Sequence, residues 1–515
     1  MNIYDAILIG AGHNSLVAAA YLAKAGKKVL VLERRNVPGG MLAPENFGEG
    51  FDFDPIWPGG QLRPDIIKDL KLTLPSSAER APFISLLGQD DSLVLASDSS
   101  KAAEAIARFS QKDAARWPEF VRFMDMCARI LDTAYSTLMP RLPKNFSLAE
   151  GYGLLELGLE LRLAGRKDML NFIRALPMTA QELLDEYFES DVVKAAVASL
   201  GIHGVTLGPW SAGTGYTLIH SWLNRGGLAN PHTKASEITS ALSDAVKTFG
   251  AEIRTDAEVT RILVDNYTVK GVALASGEEI PARAVLSGVD PKRTLLELVG
   301  AAQLPPEFVW KVQSIKMRGA VAKVHLLTDG THGLPEGTLV VAPSTKYLEQ
   351  AYDAAKYGEM SEKPYLEVTA SEKNVSIHFQ FAPYALNSGV QELAPALATA
   401  SRRTPELWNE KRELLETLAV NTLAEHAPNL KSSIVNRKSL TPLDLESTYG
   451  LTEGDLNHGQ LLLDQFLFMR PMPGWSNHKT PIDNLYLCGS GVHGGGGISG
   501  AAGRNAAKVV KANAF

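Results

Sequence analysis

The N-terminal segment alternates strand-length apolar runs with a glycine turn and a helix-like stretch. Ala6–Ile9 is a short apolar run that leads into Gly10-Ala11-Gly12, and Leu16–Ala25 follows with apolar residues at helical spacing. Gly26 is suited to end that helix, and Val29–Leu32 is a second apolar run of strand length. Strand, glycine turn, helix and strand in this order predict a βαβ unit.

The pattern changes between about Ser76 and Arg225, where helical stretches dominate. Ser110–Met139 carries apolar residues three and four positions apart, with Ser110 as the expected N-cap. Leu154–Leu163 is rich in leucine but mixes alternation with near-helical spacing, so its secondary structure stays open. A largely helical unit is therefore predicted here.

Short strands and helices return in the second half of the chain. A helix over Ser236–Phe249 is followed by strand patterns, and a long helix is expected from about Pro405 to His426. The chain closes with a glycine tract, Gly489–Gly500, and a last helix that runs to about Lys511. The predicted strands are Ala251–Ile253, Val259–Val264, Val269–Ala275, Leu339–Val341, Val375–Phe381 and Asn484–Cys488.

Composition narrows the class of protein. The chain has 515 residues, of which 45% are hydrophobic, and 51 basic against 57 acidic residues give a net charge of −6 without long like-charge blocks. A disordered tail and a nucleic-acid binder are excluded. Cys127 and Cys488 are too few for a disulfide framework or a zinc site, so a reducing compartment is expected.

The first residues of the chain and the length of its apolar runs predict where the protein is located in the cell. Met1–Asp5 lacks a basic leader, and no apolar run approaches the roughly 18 residues that span a bilayer. We expect a soluble, cytoplasmic protein that is at most peripherally attached to a membrane. Leu154–Leu163 is either a surface-docking element or a buried segment.

The glycine turn matches a dinucleotide-binding fingerprint at its first two positions. Gly10 and Gly12 allow a tight turn and a close approach of the backbone to a pyrophosphate at a helix N-terminus. Ser15 takes the third position, where a small residue is tolerated. Glu33 follows the second strand, where a carboxylate can accept hydrogen bonds from ribose hydroxyls.

The identity of the dinucleotide depends on distant segments. Arg34 and Arg35 suit the 2′-phosphate of NADP, but they also suit an adenosine pocket. Gly39-Gly40-Met41 adds a second place where backbone can pass a bulky cofactor. The helix after the C-terminal glycine tract is expected to direct its positive end toward the N1 and C2 carbonyl edge of a flavin.

Five segments together resemble the FAD-dependent phytoene desaturase-like family. They are DAILIGAGHNSLVAAAYLAKAGKKVLVLERR at Asp5–Arg35, the Gly39-Gly40 pair, Gly226-Gly227, Val259-x-x-Ile262, and NLYLCGSGVHGGGGISGAAGRNAA at Asn484–Ala507. The family includes carotenoid desaturases, ketolases and isomerases, and a branch of pyridine nucleotide-disulfide oxidoreductase domain proteins. The resemblance covers the cofactor segments, while the middle regions match only in layout.

The resemblance implies an α/β fold and an order of segments along the chain. The expected fold is a p-hydroxybenzoate-hydroxylase-like, Rossmann-type FAD-binding domain interleaved with an α+β substrate domain. Residues 1–75, 226–298 and 436–515 would form the FAD-binding domain. Residues 76–225, mostly helical, and 299–435 would form the substrate domain.

The resemblance and the neighbouring motif positions also predict the cofactor-binding residues. Met41 and Ser15 depart from the residues most common in the family at their positions. No metal site is expected. The predicted FAD-binding residues are Gly10, Gly12, His13, Asn14, Ser15, Glu33, Arg34, Gly39, Gly40, Met41, Trp57, Pro58, Gly59, Gly60, Val259, Gly489, Ser490, Gly497 and Ile498.

Three residues are candidates for catalysis beside the flavin. His493 occupies the place of the His in the desaturases' T-H-P-G motif and could transfer a proton, or it could only hydrogen-bond a loop. His203 and Tyr216 lie in the richest polar and aromatic stretch of the first insertion, with Trp210 between them. His203, Trp210 and Tyr216 could each line the substrate cavity or be ordinary residues of the hydrophobic core.

The leading hypothesis is an FAD-dependent dehydrogenase or desaturase that transfers hydride from a largely apolar substrate, such as a carotenoid, to flavin N5. Oxygen, a quinone or another acceptor would reoxidise the flavin. The alternatives are an isomerase that uses reduced FAD without net redox change, an oxidase of a small cyclic or amine substrate, a non-enzymatic FAD module, and an NADP-binding reductase. The oligomeric state stays open.

Overall fold

The computed structural model describes residues 3–48, 51–54, 56, 60–75, 81–139, 148–228, 234–387 and 403–515. The strands are β1 Tyr4–Ile9, β2 Val29–Leu32, β3 Glu45–Asn46, β4 Asp52–Phe53, β5 Phe83–Leu86, β6 Ser92–Leu95, β7 Glu252–Arg254, β8 Val259–Asp265, β9 Thr268–Leu274, β10 Glu279–Ser287, β11 Val321–Thr328, β12 Gly337–Val341, β13 Leu366–Ala370, β14 Asn374–Gln380, β15 Leu386–Asn387, β16 Arg403–Thr404, β17 Ile434–Leu440 and β18 Leu485–Leu487.

Eight of the helices lie between residues 99 and 248 of the described chain. In chain order, the helices are α1 His13–Lys24, α2 Pro64–Leu70, α3 Ser99–Ala107, α4 Gln111–Ser136, α5 Leu148–Leu163, α6 Arg166–Ala175, α7 Ala180–Asp185, α8 Asp191–Ile202, α9 Thr214–Arg225, α10 Ala235–Thr248, α11 Pro306–Gln313, α12 Thr345–Lys356, α13 Trp408–Ala424, α14 Leu430–Ser433, α15 Pro442–Tyr449 and α16 Ala501–Asn513.

A Rossmann-type sheet lies at the centre of the predicted cofactor domain. Its order is β7-β2-β1-β10-β9-β8, and β18 also pairs with β10. Strands β7, β2, β1, β10 and β18 are parallel, as the βαβ prediction requires. Both faces are covered: Ala6 and Leu8 pack toward α1, α10 and α16, while Ile7 and Ile9 pack toward β8 and β9. This explains the unbroken apolar runs of these strands.

A second sheet has one apolar and one polar face. Its order is β17-β11-β14-β13-β12-β5-β6, antiparallel except for β12 with β5. Alternate residues such as Val324, Ile377 and Val368 pack on α13. The residues between them, including Lys323 and Glu367, are polar and nevertheless buried. The polar face lies against the end of α8 and α9, where His203 and Arg225 contact Glu367.

The helical layer confirms one feature predicted from the sequence and resolves another. Ser110 is the N-cap of α4, because its side chain accepts a hydrogen bond from the main-chain N–H of Asp113. Leu154–Leu163, whose period was ambiguous, is part of the helix α5. Leu157 and Leu161 pack on the helical core, whereas Leu155 and Leu159 are exposed. Leucines on several sides of one helix produce the mixed pattern.

The division into domains stays a prediction, and we propose one change to its boundaries. Residues 83–95 and 321–440 build the second sheet, whereas the first sheet takes strands from residues 4–32, 252–287 and 485–487. Strand β17 pairs with β11 through Leu440, beyond the predicted boundary at 435. We therefore propose that the second insertion ends after Leu440.

Candidate cofactor cleft and active site

Separate stretches of the chain converge on a cleft at the carboxyl ends of β1, β2 and β10. Its empty volume, open solvent included, is about 960 Å³. Most of the predicted cofactor-binding residues line it, although their role in binding stays a proposal. These residues are Gly10, Gly12, His13, Asn14, Ser15, Glu33, Arg34, Gly39, Gly40, Met41, Val259, Gly489 and Ser490.

The glycine turn leaves open space where a phosphate would approach. Gly12 is the N-cap of α1 with φ −66° and ψ 162°, and a Cβ built on it would have no atom within 4 Å. Gly10 has φ +82°, which favours glycine. Because the N-terminal N–H groups of a helix carry partial positive charge, the open space beside α1 suits an anion.

The Gly39-Gly40 pair packs against the first turn as well as lining the cleft. The main-chain N–H of Gly39 donates to the carbonyl of Ala11 at 2.9 Å, and a Cβ on Gly40 would lie 3.4 Å from Cα of Gly12. Gly39 has φ +127°. Glycine is thus required here to bring the two turns together, a reason that the sequence did not reveal.

Ser15 is accommodated at the third fingerprint position by a glycine elsewhere. A Cβ on Gly288, just after β10, would lie 1.9 Å from Oγ of Ser15. Ser15 Oγ also lies 3.8 Å from Sγ of Cys488. The close packing of helix on strand that the third glycine normally permits is therefore supplied by the missing side chain of Gly288.

Glu33, the acidic residue after β2, accepts hydrogen bonds from the main chain of the glycine turn and of the residues that follow it. Oε2 of Glu33 accepts a hydrogen bond from the main-chain N–H of Ala11 at 2.8 Å, and Oε1 accepts one from the N–H of Arg35 at 3.0 Å. A carboxylate has further acceptor sites, so Glu33 retains capacity for ribose hydroxyls. Its position agrees with the predicted role.

The two arginines after Glu33 are engaged with the protein. Nη2 of Arg34 donates to the carbonyls of Ser447 and Thr448, and burial lowers the pKa of Arg34. Arg35 forms an ion pair with Glu45. Because both guanidinium groups already have partners in the cleft wall, these contacts argue against a 2′-phosphate site and hence against the NADP alternative.

The C-terminal glycine tract reaches the cleft only at its beginning. Gly489 and Ser490 line the cleft, and Nδ2 of Asn14 donates to Oγ of Ser490 at 3.4 Å. A Cβ on Gly495 would lie 2.1 Å from the carbonyl of Ser490, and one on Gly497 would lie 2.3 Å from Oδ1 of Asn224. The later glycines are needed because the tract folds tightly on itself and on α9.

Several predicted cofactor contacts lie elsewhere or outside the described residues. Gly497 and Ile498 do not line the cleft, since Gly497 packs on Asn224 and Ile498 is buried. Gly60 also lies off the cleft, and a Cβ on it would meet the side chain of Ile498. Trp57, Pro58 and Gly59 lie outside the described residues.

His493 makes contacts typical of a structural residue. It is fully buried, and its Nε2 lies 3.1 Å from the carbonyl of Ala134 and 3.0 Å from that of Thr137. Burial lowers the pKa of His493 to about 4. It does not line the cleft. This arrangement favours the loop-binding interpretation over the predicted proton transfer.

Tyr216 lies in a buried hydrogen-bonded chain below the glycine tract. Its Oη is 2.9 Å from Oη of Tyr135, which is 2.7 Å from Nδ1 of His220. Nδ2 of Asn224 is 3.1 Å from Nε2 of His220 and 3.4 Å from the carbonyl of Gly496. Tyr216 does not line the cleft, and Trp210 is 49% exposed. Neither position favours contact with a cofactor.

His203 belongs to a charged cluster that sequence reasoning missed. Its Nδ1 lies 3.1 Å from Oε2 of Glu367, and its ring stacks on His378 with centroids 4.1 Å apart. Nη2 of Arg225 donates to both oxygens of Glu367 at 2.8 Å. Burial by itself would raise the pKa of Glu367, but Arg225 and His203 outweigh it and hold this pKa well below its usual value.

A buried lysine completes this cluster. Lys323 faces His378 across the β11–β14 pair, and burial lowers the pKa of Lys323 to about 8 although Glu367 opposes the shift. Strand alternation could have placed Lys323, His378 and Glu367 on one face. Their joint burial depends on α8 and α9, which no local pattern connects with the sheet.

Two histidines of the cleft have buried nitrogens without partners among the described residues. They are Nε2 of His13 and Nδ1 of His458. Burial lowers the pKa of His13 to about 4 and also lowers that of His458. Unsatisfied buried imidazoles beside an open glycine turn fit a polar ligand in the cleft. The residues present therefore fit a dinucleotide.

The described residues contain neither a helix long and apolar enough to cross a membrane nor a group of three or more His, Cys, Asp or Glu suited to a metal ion.

A family model matches the N-terminal segment of the chain, and curated relatives match nearly its whole length. Residues 8–57 match the model for an NAD(P)-binding Rossmann-like domain. The chain is 32% identical to pyridine nucleotide-disulfide oxidoreductase domain-containing protein 2 of Rattus norvegicus, covering 98% of this chain and 93% of the relative. It is 26% identical to a component of the limonene dehydrogenase of Castellaniella defragrans, with 98% and 94% covered. It is 24% identical to the lycopene-forming phytoene desaturase of Pseudescherichia vulneris, with 96% of each covered.

Solved structures share the fold over the whole chain. A crystal structure of an oxidoreductase from Methanosarcina mazei has a TM-score of 0.59 at 17% identity, covering 98% of this chain and 99% of that one. A putrescine oxidase variant has a TM-score of 0.57 at 15% identity, with 99% of each covered. These likenesses establish the predicted fold class, a Rossmann-type domain within a larger α/β chain.

Proposed function

This chain belongs to the family of pyridine nucleotide-disulfide oxidoreductase domain-containing protein 2, within the FAD-dependent phytoene desaturase-like enzymes, and we propose that it dehydrogenates a largely apolar substrate. It is an oxidoreductase, and its cofactor is FAD. Bound FAD supplies a hydride acceptor at N5. The observation that carries the proposal is the convergence of the glycine turn, Glu33 and Gly489-Ser490 on one cleft.

The chain's own residues would hold the cofactor by three physical means. The N-terminus of α1 beside Gly12 stabilises the negative pyrophosphate. Glu33 accepts hydrogen bonds from ribose hydroxyls. The buried parts of the cleft walls would displace bulk water from the bound cofactor, which strengthens the electrostatic contacts within the cleft.

A second cavity is the proposed substrate site. Its empty volume, open solvent included, is about 1000 Å³, and its lining combines buried apolar residues with polar ones: Ala320, Phe381, Tyr352, Tyr384, Thr206, Arg318, Lys356 and Glu453. Ala320 belongs to the same apolar cluster as Leu451, which lines the cofactor cleft. One apolar cluster therefore borders both cavities, and the substrate has to reach past it, because hydride transfer needs the reacting C–H bond in contact with N5.

The acceptor of the substrate's proton is proposed to be water. His493, predicted to transfer a proton, and the other predicted catalytic residues His203 and Tyr216 line neither the cofactor cleft nor the second cavity. A proton-transfer group must come within hydrogen-bonding reach of the proton that it takes. Water admitted through the open second cavity meets this condition.

Anaerobic mixing with candidate substrates tests the proposed reaction. FAD-loaded protein should lose its visible flavin absorbance in proportion to substrate consumed when given monoterpenes or polyenes. Full flavin occupancy without bleaching by any member of the panel would contradict a dehydrogenase. Unchanged flavin with isomerised product would favour the isomerase alternative, and hydrogen peroxide formed from an amine in air would favour an oxidase.

We also propose that α5 and α6 contact a membrane surface from which an apolar substrate arrives. Five large side chains on these helices form what we call the leucine face: Leu155, Leu159, Leu163, Leu170 and Ile173, each between 51% and 73% exposed. Arg162, Arg166 and Lys167 are exposed on the same helices. Apolar residues flanked by basic ones are typical of segments that lie at a bilayer surface.

Replacing three leucines of this face should remove the membrane contact. Wild-type protein is expected to sediment with vesicles of phosphatidylcholine and phosphatidylglycerol, and the triple variant Leu155→Ser, Leu159→Ser, Leu163→Ser to stay in the supernatant. The control is Trp310→Ser, which removes a 66% exposed apolar side chain from another surface. Equal sedimentation of wild type and triple variant would contradict the proposal.

A further inference from the structure

His458 combines three features at the wall of the cofactor cleft. It lines the cleft, its φ of +56° lies in the left-handed region, and its buried Nδ1 has no hydrogen-bond partner among the described residues. A left-handed conformation is unfavourable for a residue with a Cβ. An unsatisfied buried polar atom adds a further cost. Costs of this kind at one position point toward a function.

The loop around His458 is built to hold this conformation. The main-chain N–H of His458 donates to the carbonyl of Asp455 at 3.2 Å, and Oδ1 of Asp455 accepts from the N–H of Asn457 at 2.9 Å. Oδ2 of Asp455 accepts from the N–H of Arg318 and from Nε2 of Gln460, at 3.0 and 2.6 Å. A fully buried carboxylate thus fixes the loop on both sides of His458.

Arg470 joins the same loop to the C-terminal cofactor segment. Its guanidinium donates to the carbonyls of Asn457 at 2.5 Å, Gly459 at 3.2 Å and Ser490 at 2.8 Å. The residues on either side of His458 are therefore tied to Ser490, which lines the cleft. The position of the imidazole relative to the cleft is determined by buried hydrogen bonds.

The imidazole of His458 lies beside Gly489, which lines the cleft. A Cβ on Gly489 would lie 3.3 Å from Nδ1 of His458, and a Cβ on Gly491 would lie 2.7 Å from its carbonyl oxygen. His13 lines the same cleft, and burial lowers its pKa, with a smaller contribution from His458. Both histidines therefore belong to the cleft wall.

We propose that His458 is a further cofactor-binding residue, whose Nδ1 forms a hydrogen bond with a polar group of bound FAD. This inference rests on the proposed function, because it takes FAD as the ligand of the cleft. The cofactor supplies the partner that Nδ1 lacks, and the preformed loop spares the cost of ordering the imidazole on binding.

His478 provides a matched comparison within the same chain. It has φ +66°, is 1% exposed, and its Nε2 also lacks a partner among the described residues. It does not line the cleft. Both histidines therefore share a left-handed backbone, burial and an unpartnered ring nitrogen, but only His458 lines the cleft.

The test compares His458→Asn with His478→Asn in apoprotein titrated with FAD. Asparagine tolerates the left-handed conformation, so both variants should fold with similar thermal midpoints. His458→Asn is expected to weaken FAD affinity about tenfold, the equivalent of one hydrogen bond, while His478→Asn binds like wild type. With 15N-labelled histidine, the Nδ1 resonance absent from His458→Asn should shift when FAD binds to wild type.

Three results would overturn the inference. Wild-type affinity in His458→Asn, equal weakening in both variants, or an unchanged Nδ1 resonance would each do so. Should His458→Asn not fold, His458→Gly, which accepts the same backbone conformation, replaces it in the titration. Failure of the wild-type apoprotein to bind FAD would instead overturn the proposed function itself.

Discussion

Valine in place of Gly12 is expected to reduce FAD affinity by at least about 100-fold while leaving the apoprotein folded. Gly12 has φ −66°, which any residue can adopt, and its Cβ would have no atom within 4 Å. The added side chain would instead occupy the space beside the N-terminus of α1, where the pyrophosphate must approach the backbone. Titration of the apoprotein with FAD, monitored by flavin fluorescence, measures the effect.

Gly158→Val is the control for this substitution. Gly158 lies on α5, away from the cleft, and a Cβ built on it would also have no atom within 4 Å. We expect FAD affinity to equal that of wild type in this variant. FAD binding by Gly12→Val with wild-type affinity would contradict the assignment of the cleft, since a steric obstruction there would then be irrelevant.

Replacing Arg225 by methionine is expected to lower the free energy of unfolding by about 3–5 kcal/mol. The guanidinium of Arg225 donates to both oxygens of Glu367, and both side chains are at least 90% buried. Methionine keeps much of the apolar volume but leaves Glu367 as an incompletely paired buried charge. Urea denaturation of the two proteins at neutral pH measures the difference.

The pH dependence of this effect follows from the direction of the Glu367 shift. Because Arg225 and His203 hold the pKa of Glu367 well below its usual value, its contribution to stability is complete above the unfolded-state pKa of about 4.3. The contribution is lost as the pH falls through the lowered pKa of the folded state. The difference between wild type and Arg225→Met should therefore shrink in acid.

A double variant separates charge from packing. Arg225→Met combined with Glu367→Leu removes both charges, and it should recover much of the stability that the single variant loses. Equal stability of Arg225→Met and wild type at neutral pH would show that the buried pair contributes little. Further loss in the double variant would show that packing, rather than the unpaired charge, determines the effect.

Local patterns predicted much of the secondary structure. The βαβ unit appears as β1, α1 and β2, whereas five strands of the second sheet, β5, β6, β11, β13 and β17, were not predicted. Glycine, capping and periodicity signals act within one element, so they can be recognised without knowledge of the fold. The boundary near residue 435 was placed inside β17, because the partner of that strand, β11, lies more than 100 residues earlier in the chain.

The predicted residues that line the cleft are those that belong to short, contiguous sequence motifs. The glycine turn, Glu33, Gly39-Gly40 and Gly489-Ser490 all line the cleft. His458 was missed because it belongs to no recognised motif. His493 and Tyr216 were selected by residue type, and the structure buries both among protein partners away from the cleft.

The sequence by itself determined that this chain contains a dinucleotide fold, because the fingerprint acts through backbone conformation and a helix end that are encoded within about thirty residues. Tertiary structure decided which other side chains accompany it. Gly288 makes room for Ser15, Arg470 joins the His458 loop to Ser490, and Arg225 neutralises Glu367. Each of these contacts joins residues distant in the chain, so no local pattern can specify it.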